Sequence, residues 1–331
     1  MLFDIYARLV KAFPDGCEHL FGSAIGASSR LWLSIDERRH PNLLFPADPS
    51  DERSDIALRF IDVEFSRACE IATEDISPIC GTYTIVRLNE DDPEIARVFL
   101  RLLEESFCQD DRSPRNREIA DRMLGIADLF SRIENARGDV VGLWGELYII
   151  SKASSILGAA QSWCLHKSAR HDFVAPDFAL EVKTAVKGNR RHRFSLDQLR
   201  PASATDIYVA SLQLVETHSG KTVSQLLESI YREIEEPSLR SAFFNQCLIK
   251  GGRDIYRSDL RLQPLSREDA LALFHARDIP VPFIESADPI SNVRFDVDLS
   301  QTPHVEKEFR KVLLAFGDDN GEGTARSKRS E

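Results

Sequence analysis

The sequence predicts a mixed α/β (α+β) protein with a β-rich opening region. A central segment follows in the order helix, three strands, helix, strand, and then a mixed, partly helical C-terminal region. Three observations predict it. From Val141 on, apolar side chains recur at helical spacing as far as Ile156 and Leu157. Residues 172–183 place apolar residues on both sides of a Pro176-Asp177 turn, which reads as a β-hairpin. Residues 206–212 are rich in β-branched and aromatic side chains, as strands are.

The elements follow in order. After an opening helix, strands are expected at Leu31–Ile35, 56–65 and 82–88. The acidic stretches 51–55 and 89–94 read as turns or helix starts. Amphipathic helices are expected at 93–107 and 117–134. In the second, Ile119, Met123, Ile126, Leu129 and Phe130 form a stripe suited to core packing. A helix over 137–157 leads to a short apolar segment, 161–166, read as a strand. The hairpin comes next, then a basic loop over 187–193. Ser195 is a good N-cap for a short helix ahead of strand 206–212. Helices near 221–235 and 237–247, a strand around 293–297 and a helix over 305–316 complete the chain. The Gly/Asp/Ser/Arg-rich residues 317–331 read as disordered. These readings divide the chain at 1–110, 111–215, 216–316 and 317–331.

Composition excludes several classes. The 331 residues are long enough for a large core and carry a formal charge of −11. Charge interrupts the first eleven residues too early for a signal peptide. No apolar run approaches the roughly 20 residues of a membrane span, so no membrane partner is expected. Six cysteines lack metal-ligand spacing and read as reduced core residues of a cytoplasmic protein. No Gly-rich phosphate loop marks an ATPase.

The chemistry concentrates in the hairpin. A two-residue loop at Pro176-Asp177 sets Asp172 opposite Glu181, with Cβ atoms about 5 Å apart. Lys183 lies two residues on and shares the face of Glu181. Two acids this close repel each other unless a cation lies between them. Hard oxygens at that spacing suit Mg²⁺ or Mn²⁺, and a neighbouring lysine serves as a point charge on phosphate or water. A solvated strand face carries the same residue types. Against that reading, Lys183 is the only lysine in the chain with an acid two positions before it. The hairpin is otherwise apolar, and charges kept in such a setting need partners.

The element order with these residues resembles the PD-(D/E)XK nuclease superfamily and its restriction-endonuclease-like αβββαβ core. More closely, it is similar to a bacterial family of that superfamily associated with phage-defence gene clusters. The shared motifs stand here as Gly142 to Leu147, His171-Asp172-Phe173, Glu181-Val182-Lys183-Thr184, and His192 with Gln198-Leu199. The literal Pro176-Asp177 lies at the turn itself, so the metal-binding acid is assigned to Asp172. The resemblance implies that Asp172, Glu181 and the carbonyl of Val182 bind the metal. Lys183 would orient or deprotonate the attacking water. Glu146 would approach the metal through a water or a second ion, and Gln198 would position the lysine, the water or a phosphate. The implied activity is that of a Mg²⁺-dependent endodeoxyribonuclease in bacterial defence or restriction. The same fold without activity, as a scaffold or DNA-binding subunit, is the alternative, and an RNA substrate is a further one.

Local charge bears on the substrate. Residues 164–200 hold eight basic and four acidic side chains, a net of about four positive charges within an acidic chain. Lys187, Arg190, Arg191, His192 and Arg193 are the expected phosphate contacts. A basic patch on an acidic body predicts weak DNA binding alone. The resemblance implies partner proteins of ATPase or helicase type from the same operon, and leaves room for a homodimer.

Overall fold

Alternation of apolar and polar side chains builds the first part of the chain as a sheet. In the computed structural model, α1 (Leu2–Ala12) precedes β1 (Leu20–Ile25), β2 (Leu31–Ile35), β3 (Pro41–Pro46), β4 (Ile56–Ala57), β5 (Ile61–Ala72) and β6 (Ile79–Leu88). The strands lie in the order β1-β2-β3-β6-β5-β4, and β1 also pairs in parallel with the end of β5. Then come α2 (Pro93–Phe107) and α3 (Asn116–Asn135). Asp92 caps α2 by accepting from the Glu94 amide, as its acidic start predicts. The stripe Ile119, Met123, Ile126, Leu129 and Phe130 is buried. The strand expected over 56–65 is two strands, broken at 58–60. β1 and β3 were not expected, because Gly22-Ser23 and the flanking prolines of β3 weaken their strand signal.

The structure describes residues 2–17, 19–26, 31–51, 53–74, 78–108, 113–135, 138–164, 170–186, 188–200, 206–283, 292–307, 311, 314 and 316. The chain forms two compact units, Met1–Ala136 and Arg137–Glu331. The amphipathic α3 belongs with the first sheet, and residues 216–307 complete the second unit.

The second unit runs α4 (Val140–Lys152), α5 (Ile156–Cys164), β7 (Phe173–Val174), β8 (Phe178–Val186), β9 (Arg191–Ser195), α6 (Leu196–Leu199), β10 (Asp206–Lys221), α7 (Val223–Glu233) and α8 (Pro237–Gly251). It ends with α9 (Asp254–Arg257), β11 (Leu262–Pro264), β12 (Leu271–His275) and β13 (Arg294–Asp298). β7 pairs antiparallel with β8, and β8 pairs in parallel with β10. β12 and β11 lie along successive halves of β10, while β9 and β13 form a separate antiparallel ribbon. The αβββαβ order is present, but α5 stands where the first strand was expected and β9, read as a loop, is the third strand. One sheet face, carrying Ala179, Ile207, Val209 and Phe274, packs on Phe194, Leu199 and Val297. The other carries Val182 and Thr184 and receives α4.

Two expectations in this unit are corrected. Residues 161–164 end a helix, α5, and do not start a strand. Ala153 is extended and stops α4, and the Ser155 hydroxyl accepts from the Gly158 amide at the start of α5. Ala159, Ala160 and Trp163 are buried at helical spacing. The basic loop is in part strand β9, whose alternation turns His192 and Phe194 inward and Arg191 and Arg193 outward. Gly188, at φ 81°, makes the turn into it. Cys247 is buried, Cys69 packs partly buried against the Trp32 and Leu44 cluster, Cys17 and Cys108 are half-buried, and Cys80 is exposed, so the core reading fails for Cys80. Half of the helix expected over 305–316, and all of 317–331, lies outside the described residues. Among the described residues no helix is long and apolar enough to cross a membrane.

Candidate active site

The hairpin has the register its turn predicts. Phe173 faces Leu180, Val174 faces Ala179, and the Ala175 amide donates to the Phe178 carbonyl at 2.9 Å. The same register places Asp172 opposite Glu181. Asp172 Oδ2 accepts from the Val182 amide at 2.8 Å, at the peptide between Glu181 and Lys183. Lys183 Nζ lies 2.7 Å from Glu181 Oε1, and Gln198 Nε2 donates to that same oxygen. Gln198 is held in turn, because its Oε1 accepts from the Ser195 amide at 2.9 Å at the start of α6. His171 Nε2 lies 3.0 Å from the Gln198 carbonyl and ties Asp172's neighbour to α6. Glu181 is only 4% exposed. Burial and then repulsion from Asp172 push its carboxyl up to about 7, against the pull of Lys183.

Glu146 arrives from the opposite face of the sheet, and Gly145 is the reason it can. A Cβ at residue 145 would lie 2.2 Å from Thr184 Cγ2, so only glycine lets α4 approach β8 this closely. Glu146 Oε2 accepts from Trp163 Nε1 at 2.6 Å and from Lys250 Nζ at 2.5 Å. Lys250 Nζ also donates to Asp172 Oδ1 at 2.8 Å. Burial, then Asp172, push the Glu146 carboxyl up to about 8, against Lys250 and Trp163. Burial opposes the charge on Lys250, but Asp172 and Glu146 outweigh it and hold the ammonium above the ordinary lysine value.

The structure therefore brings together Asp172, Glu181, Lys183, Gln198 and Glu146. It adds Lys250 and Trp163, which the sequence reading missed. Lys250 lies in the last turn of α8, where a lysine normally reads as a cation at a helix C-terminus. Nothing in its spacing singles it out. Trp163 was visible but was placed on a strand.

The basic cluster divides in two. Arg190 is buried and donates to the Ser211 carbonyl and hydroxyl at 2.8 and 2.9 Å, and to the Asp269 carbonyl. His192 is buried with Nε2 2.7 Å from Ser211 Oγ. Burial, then Lys183 and Arg190, push its imidazole down to about 4. The structure does not present these two as phosphate contacts; they brace Ser211, which pairs with Lys183 in the β8–β10 ladder. Arg191 and Arg193 are exposed, at 70% and 72%, and both face Asp296, at 3.8 and 3.1 Å. Lys187 lies outside the described residues.

The donor set suits one hard cation. Asp172 and Glu181 supply carboxylate oxygens in a setting where burial and mutual repulsion disfavour two bare charges. In an antiparallel ladder the N–H and C=O of one residue point to the same edge. The Val182 N–H already reaches Asp172, so its carbonyl opens on that side as well. Among the described residues no group of three or more His, Cys, Asp or Glu side chains could hold a metal ion. The groups that could hold one are the Asp172 and Glu181 carboxylates with the Val182 peptide oxygen.

A short antiparallel pair runs beside a parallel strand, flanked by helices, with acids and a lysine gathered at its end. These features define a mixed α/β protein with a nuclease-like core. A family model whose description reads "Putative PD-(D/E)XK family member, (DUF4420)" matches residues 25–300, and the chain belongs to that family. No curated protein and no solved structure matches the chain.

Proposed function

We propose that the chain is a metal-dependent nuclease that hydrolyses DNA phosphodiester bonds with Asp172, Glu181 and Lys183. One observation carries this reading: Glu181 binds Lys183 while Asp172 binds the amide between them, so two acids and a lysine share one spot. Asp172, Glu181 and the Val182 carbonyl would hold the metal. When bound, Mg²⁺ or Mn²⁺ supplies Lewis acidity and lowers the pKa of a coordinated water. Lys183 sets a positive charge beside the attacked phosphate and orients the water. Gln198 keeps the Glu181 oxygen directed into the site, and the buried surroundings strengthen each charge interaction. The acidic chain with its small exposed basic ribbon favours activity alongside ATPase- or helicase-type partners. The setting in bacterial anti-phage defence rests on the family resemblance alone.

The test is cleavage of plasmid and linear DNA, and of a matched RNA, with Mg²⁺ or Mn²⁺. Wild type is compared with Asp172→Ala and Lys183→Ala at matched purity. The expected result is metal-dependent DNA cleavage lost in both variants. Cleavage that survives both substitutions overturns the assignment. A non-catalytic nuclease-fold scaffold is the second reading, favoured by one feature: Lys250 already bridges Asp172 and Glu146. No cleavage by wild type, with partners supplied, selects it.

A further inference from the structure

Lys250 and its partner Glu146 are charged groups at the site that the reaction above leaves unused. We propose that its ammonium fills the place a second divalent ion would take between Glu146 and Asp172, so that this site carries a single metal ion. The inference rests on the nuclease reading and specifies its metal content.

The geometry is that of a bridging cation. Nζ lies 2.5 Å from Glu146 Oε2 and 2.8 Å from Asp172 Oδ1, joining carboxylates from two separate elements. In two-metal sites a shared carboxylate bridges ions about 3.5–4 Å apart. Here Asp172 is the shared group. One of its oxygens faces Lys250 and the other the Val182 amide beside Glu181.

The lysine is also fixed in place. Its own carbonyl accepts from the Asp139 amide at 3.1 Å, and Asp139 caps α4, the helix that carries Glu146. Lys250 therefore grips α4 through both its backbone and its side chain. Gly138 and Gly251 allow this approach, since a Cβ at residue 138 would lie 2.1 Å from the Gly251 carbonyl oxygen. Trp163 closes the arrangement. Its Nε1 donates to the oxygen that Lys250 also binds, and its ring centre lies 5.6 Å from Nζ.

Charge points the same way. With all groups ionised, three carboxylates face two ammoniums and leave one negative charge. One divalent ion turns this into one positive charge, which matches a single phosphodiester. A second ion in addition to Lys250 would leave three.

The experiment counts ions on the full chain by equilibrium dialysis against Mn²⁺ alone, with electron paramagnetic resonance of the bound metal. Expected are one uncoupled Mn²⁺ in wild type and two spin-coupled Mn²⁺ in Lys250→Met. The double variant Lys250→Met/Glu146→Gln returns to one, and Asp172→Asn binds none. Two ions in wild type overturn this inference alone and leave the nuclease reading standing. One ion in a natively folded Lys250→Met also overturns it. No Mn²⁺ in wild type overturns both readings. The wild-type count needs no variant, so the inference stays refutable if Lys250→Met does not fold.

Discussion

Replacing Gly145 with alanine tests the packing that delivers Glu146 to the site. The new Cβ would sit 2.2 Å from Thr184 Cγ2, well inside van der Waals contact. Thr184 is β-branched and stiff at χ1, so its methyl cannot swing away freely. Helix α4 must lift from β8 by roughly 1 Å, and overpacking of this kind costs about 1–3 kcal/mol. Alanine returns up to about 1 kcal/mol through its better helix propensity. The net expectation is a loss of about 1–2 kcal/mol, at roughly 2–4 °C of melting temperature per kcal/mol for a unit of this size. Lifting α4 also stretches the Glu146 contacts to Trp163 and Lys250. The rescue is Thr184→Ser, which removes the methyl. The nearest atoms to the new Cβ are then Val182 Cγ1 at 3.5 Å and the residue 184 Cβ at 3.7 Å, both ordinary contacts. Urea unfolding of wild type, both single variants and the pair gives the coupling energy, expected at about 1–3 kcal/mol in the rescuing direction. A fully stable Gly145→Ala, or a pair no better than the sum of its members, would refute the close approach of α4 to β8.

Two further outcomes follow from charge and burial. Glu146 (to about 8) and Glu181 (to about 7) are raised above the ordinary 4.5, so the folded state holds extra protons; stability falls as pH rises through that window. His192, lowered from 6.5 to about 4, acts in the opposite sense, because the unfolded chain takes up its proton first. Above about pH 6.5 the acids act alone, each with a limiting slope of about 1.4 kcal/mol per pH unit. Denaturant unfolding in chelator should show wild-type stability dropping from pH 6.5 to 8 and Glu146→Gln dropping less; a flat or rising wild-type profile contradicts the assignment. The two kinds of arginine should separate as well. Arg190→Gln removes the buried guanidinium's bonds to the Ser211 carbonyl and hydroxyl and to the Asp269 carbonyl, and should cost about 1–3 kcal/mol. Arg193→Gln removes only an exposed ion pair and should cost about 0–1 kcal/mol, while weakening DNA binding at low salt. Equal thermal losses in the two variants would contradict this division.

Much of the hairpin at the candidate site was legible because its determinants are local. A Pro-Asp turn sets the register, and a period of two sends Glu181 and Lys183 to one face, so Asp172 had to fall opposite Glu181. The helices α2 and α3 were legible for the same reason, through their apolar periods. Short apolar runs were not. Residues 161–164 fit a strand or a helix equally well until Ala159, Ala160 and Trp163 find a common core to bury against. Arg-His-Arg-Phe-Ser at 191–195 already alternates as a strand does, but its basic content disguised it as a loop.

Only the tertiary structure decided what each polar residue is for. Arg190 and His192 could have faced DNA; instead β10 supplies Ser211 as a partner to both, and the turn before β12 supplies the Asp269 carbonyl to Arg190. Glu146 could have faced water, and its use depends on a glycine fitting against Thr184 from another element. Lys250 shows the limit most sharply. Its partners lie 104 and 78 residues away in the chain, and no local periodicity links them. Turn chemistry and strand alternation act over a few residues and can be read directly. An ion pair between distant helices exists only once the sheet has brought them within about 3 Å, where the cost of burying each charge is offset by the other.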